Sequence, residues 1–505
     1  MPGLRDTPVG PSAPRRASTG VPGFDDILGG GLPARRMYLV QGDPGAGKTT
    51  LALQFLLEGV RSGERSLYVT LSETRSELED IARSHGWSLE GLSLLEVSSQ
   101  AAQEETETTL YEPGEIELGE RVGEILAEVD RVKPTRLVVD SCSELRLLAQ
   151  TPLRYRRQIL ALKQRLSDLG CTIVLIDNPA PSSPDMLLQS VVHGVISMEQ
   201  LSPLWGAERR RLRVQKIRGL RYRGGYHDFI IRTGGLSVFP RIVASEHHGE
   251  TMKDVVRSGI SELDTLLGGG PSPGTSFLLL GPSGCGKSAV AAQYAHAAAK
   301  RGERAAVFAF DESAAIYLAR ADSLGMDLRP HLETRRFSLQ QIDPAEMSPG
   351  EFAYLIRGVV EGDDARVIVI DSLNGYLNAM AEESLVALQL HELLAYLAHR
   401  GVLTILTVAE HGLVSHRPAS PIDVSYLADS VLLFRYFEAG SQVRKALSVV
   451  KKRVGGHENT IRELLIGSGG LRVGPVLEEV QGVLGGAPTY VGKGGAPDAL
   501  LGRRS

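Results

Sequence analysis

Cysteine is scarce. The 505 residues carry three, Cys142, Cys171 and Cys285, widely spaced and without a C-x-x-C pair. That excludes a disulfide framework and any recognisable zinc site, and it fits a reducing, cytoplasmic setting. No run of about 18 apolar residues occurs, so no transmembrane helix is expected. Met1 to Arg16 is rich in Pro and Arg and has no apolar stretch, unlike a secretory signal. Positive charge is not in surplus either: 55 Lys and Arg stand against 60 Asp and Glu, a net charge of −5. Binding to nucleic acid or to an anionic membrane is therefore not expected from charge. Aromatic residues make up only 5% of the chain, whereas glycine, at 56 residues, is plentiful and gathers at turns.

What the chain does have is a repeat. Hydrophobic residues at 42% and charged residues at 23% are ordinary for globular protein, and the length suits two to four domains. Gly20 answers Gly259, Asp25 answers Asp264, Lys48 answers Lys287 and Glu73 answers Glu312, all at an offset of 239 residues. Asp140/Asp371 and Lys216/Lys451 continue the match with small shifts. Such a period is too long for a solenoid and marks a duplicated domain. The expected organisation is a disordered tail over 1–17, a first domain over 18–243, a linker over 244–254, a second domain over 255–477 and a Gly-rich tail over 478–505. The acidic stretch from Ala101 to Glu120 reads as an exposed loop.

Each half runs strand, loop, helix, repeatedly. MYLVQ, SLYVTL, RLVVD and TIVLID in the first half, and SFLLL, AAVFAF, VIVID and LTILTV in the second, are short apolar runs between helical segments. They read as buried parallel strands of an open α/β sheet. The last third of each half (VISMEQL, RRLRVQKIRG, YHDFIIR; VLLFRYF, KALSVVKKR, IRELLI) reads as antiparallel hairpins extending that sheet. The fold class is α/β, two tandem mostly parallel sheets flanked by helices.

Two segments carry phosphate chemistry. Gly42 to Thr49 (GDPGAGKT) and Gly281 to Ser288 (GPSGCGKS) both fit G-x-x-x-x-G-K-[ST] between a strand and a helix. Gly45, Gly47, Gly284 and Gly286 let backbone N–H groups converge on phosphate oxygens, and the helix N-terminus adds its positive end. Lys48 and Lys287 supply charge at the β- and γ-phosphates, Thr49 and Ser288 offer hydroxyls to Mg²⁺, and Thr50 completes the first loop. Asp140 and Asp371 end later apolar strands, where a carboxylate holds Mg²⁺ through its water shell. A base for the attacking water is expected after the strand that follows the phosphate-loop helix, at Ser72-Glu73 and Asp311-Glu312. Both positions would equally suit an N-cap of the next helix.

This combination resembles the KaiC family, tandem RecA-like P-loop ATPases, over about Gly20 to Leu477. The likeness rests on GFDDILGGGLP, GISELDTLLGGG, the carboxylate and Asp-Ser positions, ERRRLRVQKIRG, GLSVFPR and VKKRVGGHENTIREL. It implies ATP and Mg²⁺ as cofactors, hexameric double rings and ATP bound between neighbouring subunits. It assigns Lys216 and Arg218, and Lys451 and Arg453, as cations reaching a neighbour's phosphates, with Arg209 to Arg211 as weaker candidates. It also implies slow hydrolysis, autophosphorylation near the second ATP, and protein partners such as KaiB-like or two-component proteins. Two departures matter. Where the family carries Glu-Glu, the first members here are Ser72 and Asp311, so either Glu73 acts alone in the first site or hydrolysis there is poor. Where clock members phosphorylate adjacent Ser and Thr, this chain has Ser425 and Tyr426. The rival readings are a RecA-like DNA-dependent motor, which the charge balance disfavours, and a non-catalytic ATP-gated scaffold.

Overall fold

The structure is a computed structural model and describes residues 15–97, 113–149, 151–178, 186–203, 206–244, 254–378, 383–410, 426–439, 441–478, 480–483 and 489–490. The chain divides into two compact units between Arg241 and Ile242. In the first unit the strands are β1 (Met37–Gly42), β2 (Ser66–Thr70), β3 (Leu92–Glu96), β4 (Arg136–Asp140), β5 (Thr172–Asp177), β6 (Gly194–Leu201), β7 (Arg209–Ile217), β8 (His227–Arg232) and β9 (Gly235–Phe239). They form one sheet in the order β3-β2-β4-β5-β1-β6-β7-β8-β9. The six strands from β3 to β6 pair in parallel, and β7, β8 and β9 are added as antiparallel hairpins.

The second unit repeats this arrangement with β10 (Ser276–Gly281), β11 (Arg304–Ala309), β12 (Phe337–Gln341), β13 (Ala365–Asp371), β14 (Leu403–Ala409), β15 (Ser430–Ala439), β16 (Gln442–Lys452), β17 (Arg462–Gly467) and β18 (Gly470–Val476). Its sheet order, β12-β11-β13-β14-β10-β15-β16-β17-β18, is the first order strand for strand.

The apolar runs form strands because both of their faces are covered. Every residue of β2, β4 and β5 is buried. Tyr38 and Val40 of β1 enter one core with helix α1 (Lys48–Arg61), while Met37 and Leu39 enter the other. That second core includes residues of α3 (Pro113–Val132), α4 (Cys142–Leu148), α5 (Pro152–Asp168) and α6 (Met186–Val191), α2 being Arg75–Ser84. The outer strands β3 and β12 escaped the sequence reading because their residues are half exposed and lack a long apolar run. The acidic stretch is corrected in part: residues 113–120 belong to α3 rather than to a loop, and residues 101–112 lie outside those described.

The repeated aspartates near the start of each unit are structural. Asp25 accepts from the Ser18 and Thr19 hydroxyls at 2.7 Å each, and from the Thr19 N–H at 3.0 Å. Asp264 does the same for the Ser258 N–H and hydroxyl, both at 2.7 Å. Each carboxylate ties the segment before the first short helix to that helix.

Candidate functional site

β1 and β10 lie beside parallel neighbours on both sides, so the loops leaving their C-terminal ends open at the same edge of the sheet as those of β2, β4 and β5, or β11, β13 and β14. At that edge Gly45 and Gly47 have φ of 79° and 91°, and Gly284 and Gly286 have 76° and 109°, a region open mainly to glycine. A side chain at Gly47 would also meet Ile231 at 2.4 Å. α1 starts at Lys48, and α7 (Lys287–Arg301) starts at Lys287. Lys48 Nζ donates to the carbonyls of Gly42 and Asp43 at 2.8 and 2.7 Å, and Lys287 Nζ to those of Gly281 and Pro282 at 2.8 and 2.7 Å. Both amines therefore lie against their own loops. Burial holds the Lys48 amine below its usual value, partly offset by Asp140.

The structure brings the expected Mg²⁺ ligands together. Thr49 Oγ1 donates to Asp140 at 3.2 Å, and Ser288 Oγ to Asp371 at 3.0 Å. A second hydroxyl reaches each carboxylate, and the sequence reading missed it. In the first unit it is Tyr68 of β2, 2.6 Å from Asp140; in the second it is Thr407 of β14, 2.5 Å from Asp371. The two units recruit it from opposite neighbours of the Asp strand. A tyrosine or threonine inside an apolar strand was the available signal, since a buried hydroxyl needs a partner. A second missed brace is Tyr436, whose hydroxyl donates to the Ser283 carbonyl of the second loop at 3.0 Å.

The carboxylates after β2 and β11 do not act as helix caps. Thr74 caps α2 in a capping box with Glu77, and Ser313 caps α8 (Ala314–Ser323). Glu73 is half-buried, and its Oε2 is buried without a hydrogen-bond partner. Burial, then the charges of Asp140 and Glu77, raise its carboxyl to about 7, against a lowering by Lys48. In the second unit Ser372 Oγ donates to the Asp311 carboxylate, and Glu312 forms an ion pair with Arg320 at 2.9 Å.

The cations assigned to a neighbour's phosphates stand elsewhere. Lys216 pairs with Val195, whereas Gly42 pairs with Met198 further along the same strand. Three strand residues are about 10 Å. Lys451 pairs with Val431, beside Leu278, again three residues before the loop glycine Gly281. Both pairs of cations thus sit toward the edge opposite the phosphate loop of their own unit. Lys216 Nζ donates to the Gln189 carbonyl, and Arg218 to that of Ser190 at 3.0 Å. Burial, then the charges of Arg218 and Lys163, hold the Lys216 amine below its usual value. Arg453 pairs with Asp429 at 3.0 Å and donates to the Tyr426 carbonyl at 3.1 Å. Arg211 is paired with Glu199 at 2.8 Å and lies over the Tyr226 ring. Ser425 lies outside the described residues. Among the described residues no helix is long and apolar enough to cross a membrane.

The family model "ATPase: KaiC" matches twice, over residues 17–242 and 256–478. The chain is 25% identical over 487 residues to the circadian clock protein KaiC3 of Synechocystis sp., covering 94% of this chain and 95% of that protein. It is 27% identical over 506 residues to the circadian clock oscillator protein KaiC of Acaryochloris marina, covering 94% and 91%. For the KaiC of Synechococcus elongatus the identity is 26% over 485 residues, covering 94% and 92%.

Proposed function

The chain belongs to the KaiC family of ATPases, and from that premise we propose that it is a slow ATP hydrolase whose sites are completed between subunits of a homo-hexameric double ring. The single observation that carries this reading is the separation within each unit. A phosphate loop, a carboxylate and a base lie at one edge of the sheet, while Lys216, Arg218, Lys451 and Arg453 lie toward the other. A cation there is too far to serve the phosphate of its own unit, and in this reading it serves that of a neighbouring copy. Mutual repulsion among Lys216, Lys163 and Arg218 suits a patch that meets an anion.

Each site has the parts for hydrolysis. The loop N–H groups, Lys48 and Lys287 bind and orient the phosphates. The Thr49–Asp140 and Ser288–Asp371 pairs offer only hard oxygens and few of them, which fits Mg²⁺, an ion that keeps several waters and takes the rest of its shell from phosphate. When bound, Mg²⁺ neutralises charge on the β- and γ-oxygens. Tyr68 and Thr407 fix the carboxylates that would hold it. Glu73 carries an unpartnered buried oxygen able to take a proton from water in the first site. Arg218 and Arg453 of a neighbour would stabilise charge as the phosphoryl group leaves.

Autophosphorylation belongs to the second site in this reading, on Ser425. Its neighbour Tyr426 is anchored through its carbonyl to Arg453. Tyr426 itself is a poor acceptor, because its oxygen stands a ring's length further from the backbone than that of threonine. The experiment is light scattering with and without ATP and Mg²⁺, followed by ATPase assays with and without DNA and by phosphosite mapping. A hexameric mass in ATP and turnover indifferent to DNA are expected. A monomer at every ATP concentration overturns the ring, and turnover that requires DNA supports a DNA motor instead. Protein partners of the KaiB-like or two-component kind and a cytoplasmic location complete the proposal.

A further inference from the structure

The two units hold the corresponding glutamates, Glu73 and Glu312, differently. Aligned on their helix caps, Thr74 and Ser313, and on the buried Leu78/Tyr317 and Ala82/Ala321 pairs, α2 and α8 match residue for residue. Arg320 then stands where the first unit has Ile81. Arg320 pairs with Glu312 at 2.9 Å and lies over the ring of Tyr317, itself fully buried, at 4.9 Å. The stacked ring fixes the guanidinium from behind, so the pair is better ordered than an ordinary surface ion pair. The first unit offers Glu73 an isoleucine at that position rather than an arginine, and Glu73 keeps a buried oxygen with no partner.

Asp311, beside Glu312, has a seat of its own. Ser372, the residue after Asp371, donates to it. Gly375 makes room, since a Cβ there would come within 3.0 Å of Asp311 Oδ1 and 2.7 Å of Phe310. The first unit has Glu144 at that position and Ser72 in place of the aspartate. The serine leaves Glu73 as the acceptor in one site, and the arginine removes its counterpart in the other.

We propose that Arg320 is a positioning residue that withholds Glu312 from the second site and leaves proton acceptance there to Asp311, so that the two sites of one chain use opposite members of the pair. The proposal rests on the hydrolytic reading above. In the second site a water oxygen bonds to the γ-phosphorus as the bond to the bridging oxygen breaks. The water's proton passes to Asp311, and ADP and phosphate leave. With Arg320 removed, Glu312 becomes a second carboxylate free to do the same.

The test uses the full chain carrying Glu73→Gln, so that the remaining turnover reports the second site. Asp311→Asn should lower it by about a hundredfold or more, the least expected for a lost base. Glu312→Gln should leave it within about twofold. Arg320→Ala added to Asp311→Asn should restore turnover, and adding Glu312→Gln should abolish the gain. Arg320→Lys, which keeps a cation, should restore none. A merely structural arginine would show no such rescue. Loss on Glu312→Gln with Arg320 in place, no rescue in Arg320→Ala/Asp311→Asn, or no measurable turnover in Glu73→Gln overturns the proposal. Binding of a fluorescent ATP analogue separates the two claims. Rescue that fails while Lys287→Ala still abolishes second-site binding refutes only the role of Arg320, whereas unchanged binding in Lys287→Ala refutes the phosphate-loop assignment itself.

Discussion

At the scale of single residues, the proposed hydrolysis rests most on Glu73. Burial, then the charges of Asp140 and Glu77, raise its carboxyl from 4.5 to about 7 against a lowering by Lys48. A base works only when deprotonated, so first-site turnover should climb as pH rises through about 7. Glu73→Gln should remove that climb and lower first-site turnover by about a hundredfold. The same shift affects stability. Between 4.5 and about 7 the folded chain holds a proton that the unfolded chain has released, so this group makes stability fall as pH rises through that window, with no further loss above it. Glu73→Gln lacks the penalty. Its melting temperature relative to wild type should therefore increase from pH 4.5 to 7 and then level off, as calorimetry across that range would report. A difference independent of pH would mean that the carboxyl is not held up by its surroundings.

At the scale of elements, the units are stitched by a few buried polar groups. Arg136, at the start of β4, is buried; it pairs with Glu64 at 2.6 Å and donates to the carbonyls of Ser18 and Phe55 at 2.7 and 2.8 Å. One side chain thus joins β4, α1 and the segment leading to the first short helix. Arg136→Ala should cost about 3 kcal/mol, because it strands those acceptors and one carboxylate. Arg304→Ala, which breaks an exposed pair with Asp363, should cost under about 0.5 kcal/mol. Chemical denaturation of both variants measures the contrast, and equal losses would refute it. The legibility of the elements followed the same physics. β1, β2, β4 and β5, and their counterparts, were readable because burial on both faces leaves an unbroken apolar run. β3 and β12 were not, since their residues are mostly half-exposed or exposed and leave no such run. The phosphate loops, Asp140 and Asp371 were legible as spacings. Tyr68, Thr407 and Tyr436 were not, because each depends on a partner distant in sequence: Asp140, Asp371 and Ser283. Arg320 was not, because its pairing depends on how the start of α8 sets it against Glu312 and the Tyr317 ring.

At the scale of the whole molecule, two copies of one sheet order run along the chain, each with its phosphate loop at one edge and its paired basic residues toward the other. An arrangement that puts complementary halves at opposite edges of each unit favours head-to-tail contacts, which close into rings when the rotation permits. In the proposed ring, ATP held at such a contact would stabilise the assembled form, so dilution without nucleotide should release subunits and added ATP should reverse it. The central claim is that a site is completed by a neighbour, and mixing two inactive variants tests it most directly. Arg218→Ala subunits keep their phosphate loop, Lys48→Ala subunits keep their cation, and neither pure ring should turn over ATP at the first site. With second-site hydrolysis suppressed in both by the same Asp311→Asn and Glu312→Gln substitutions, mixed rings verified by mass should recover part of the wild-type first-site rate. Mixed rings that stay as inactive as the parents would contradict a shared site.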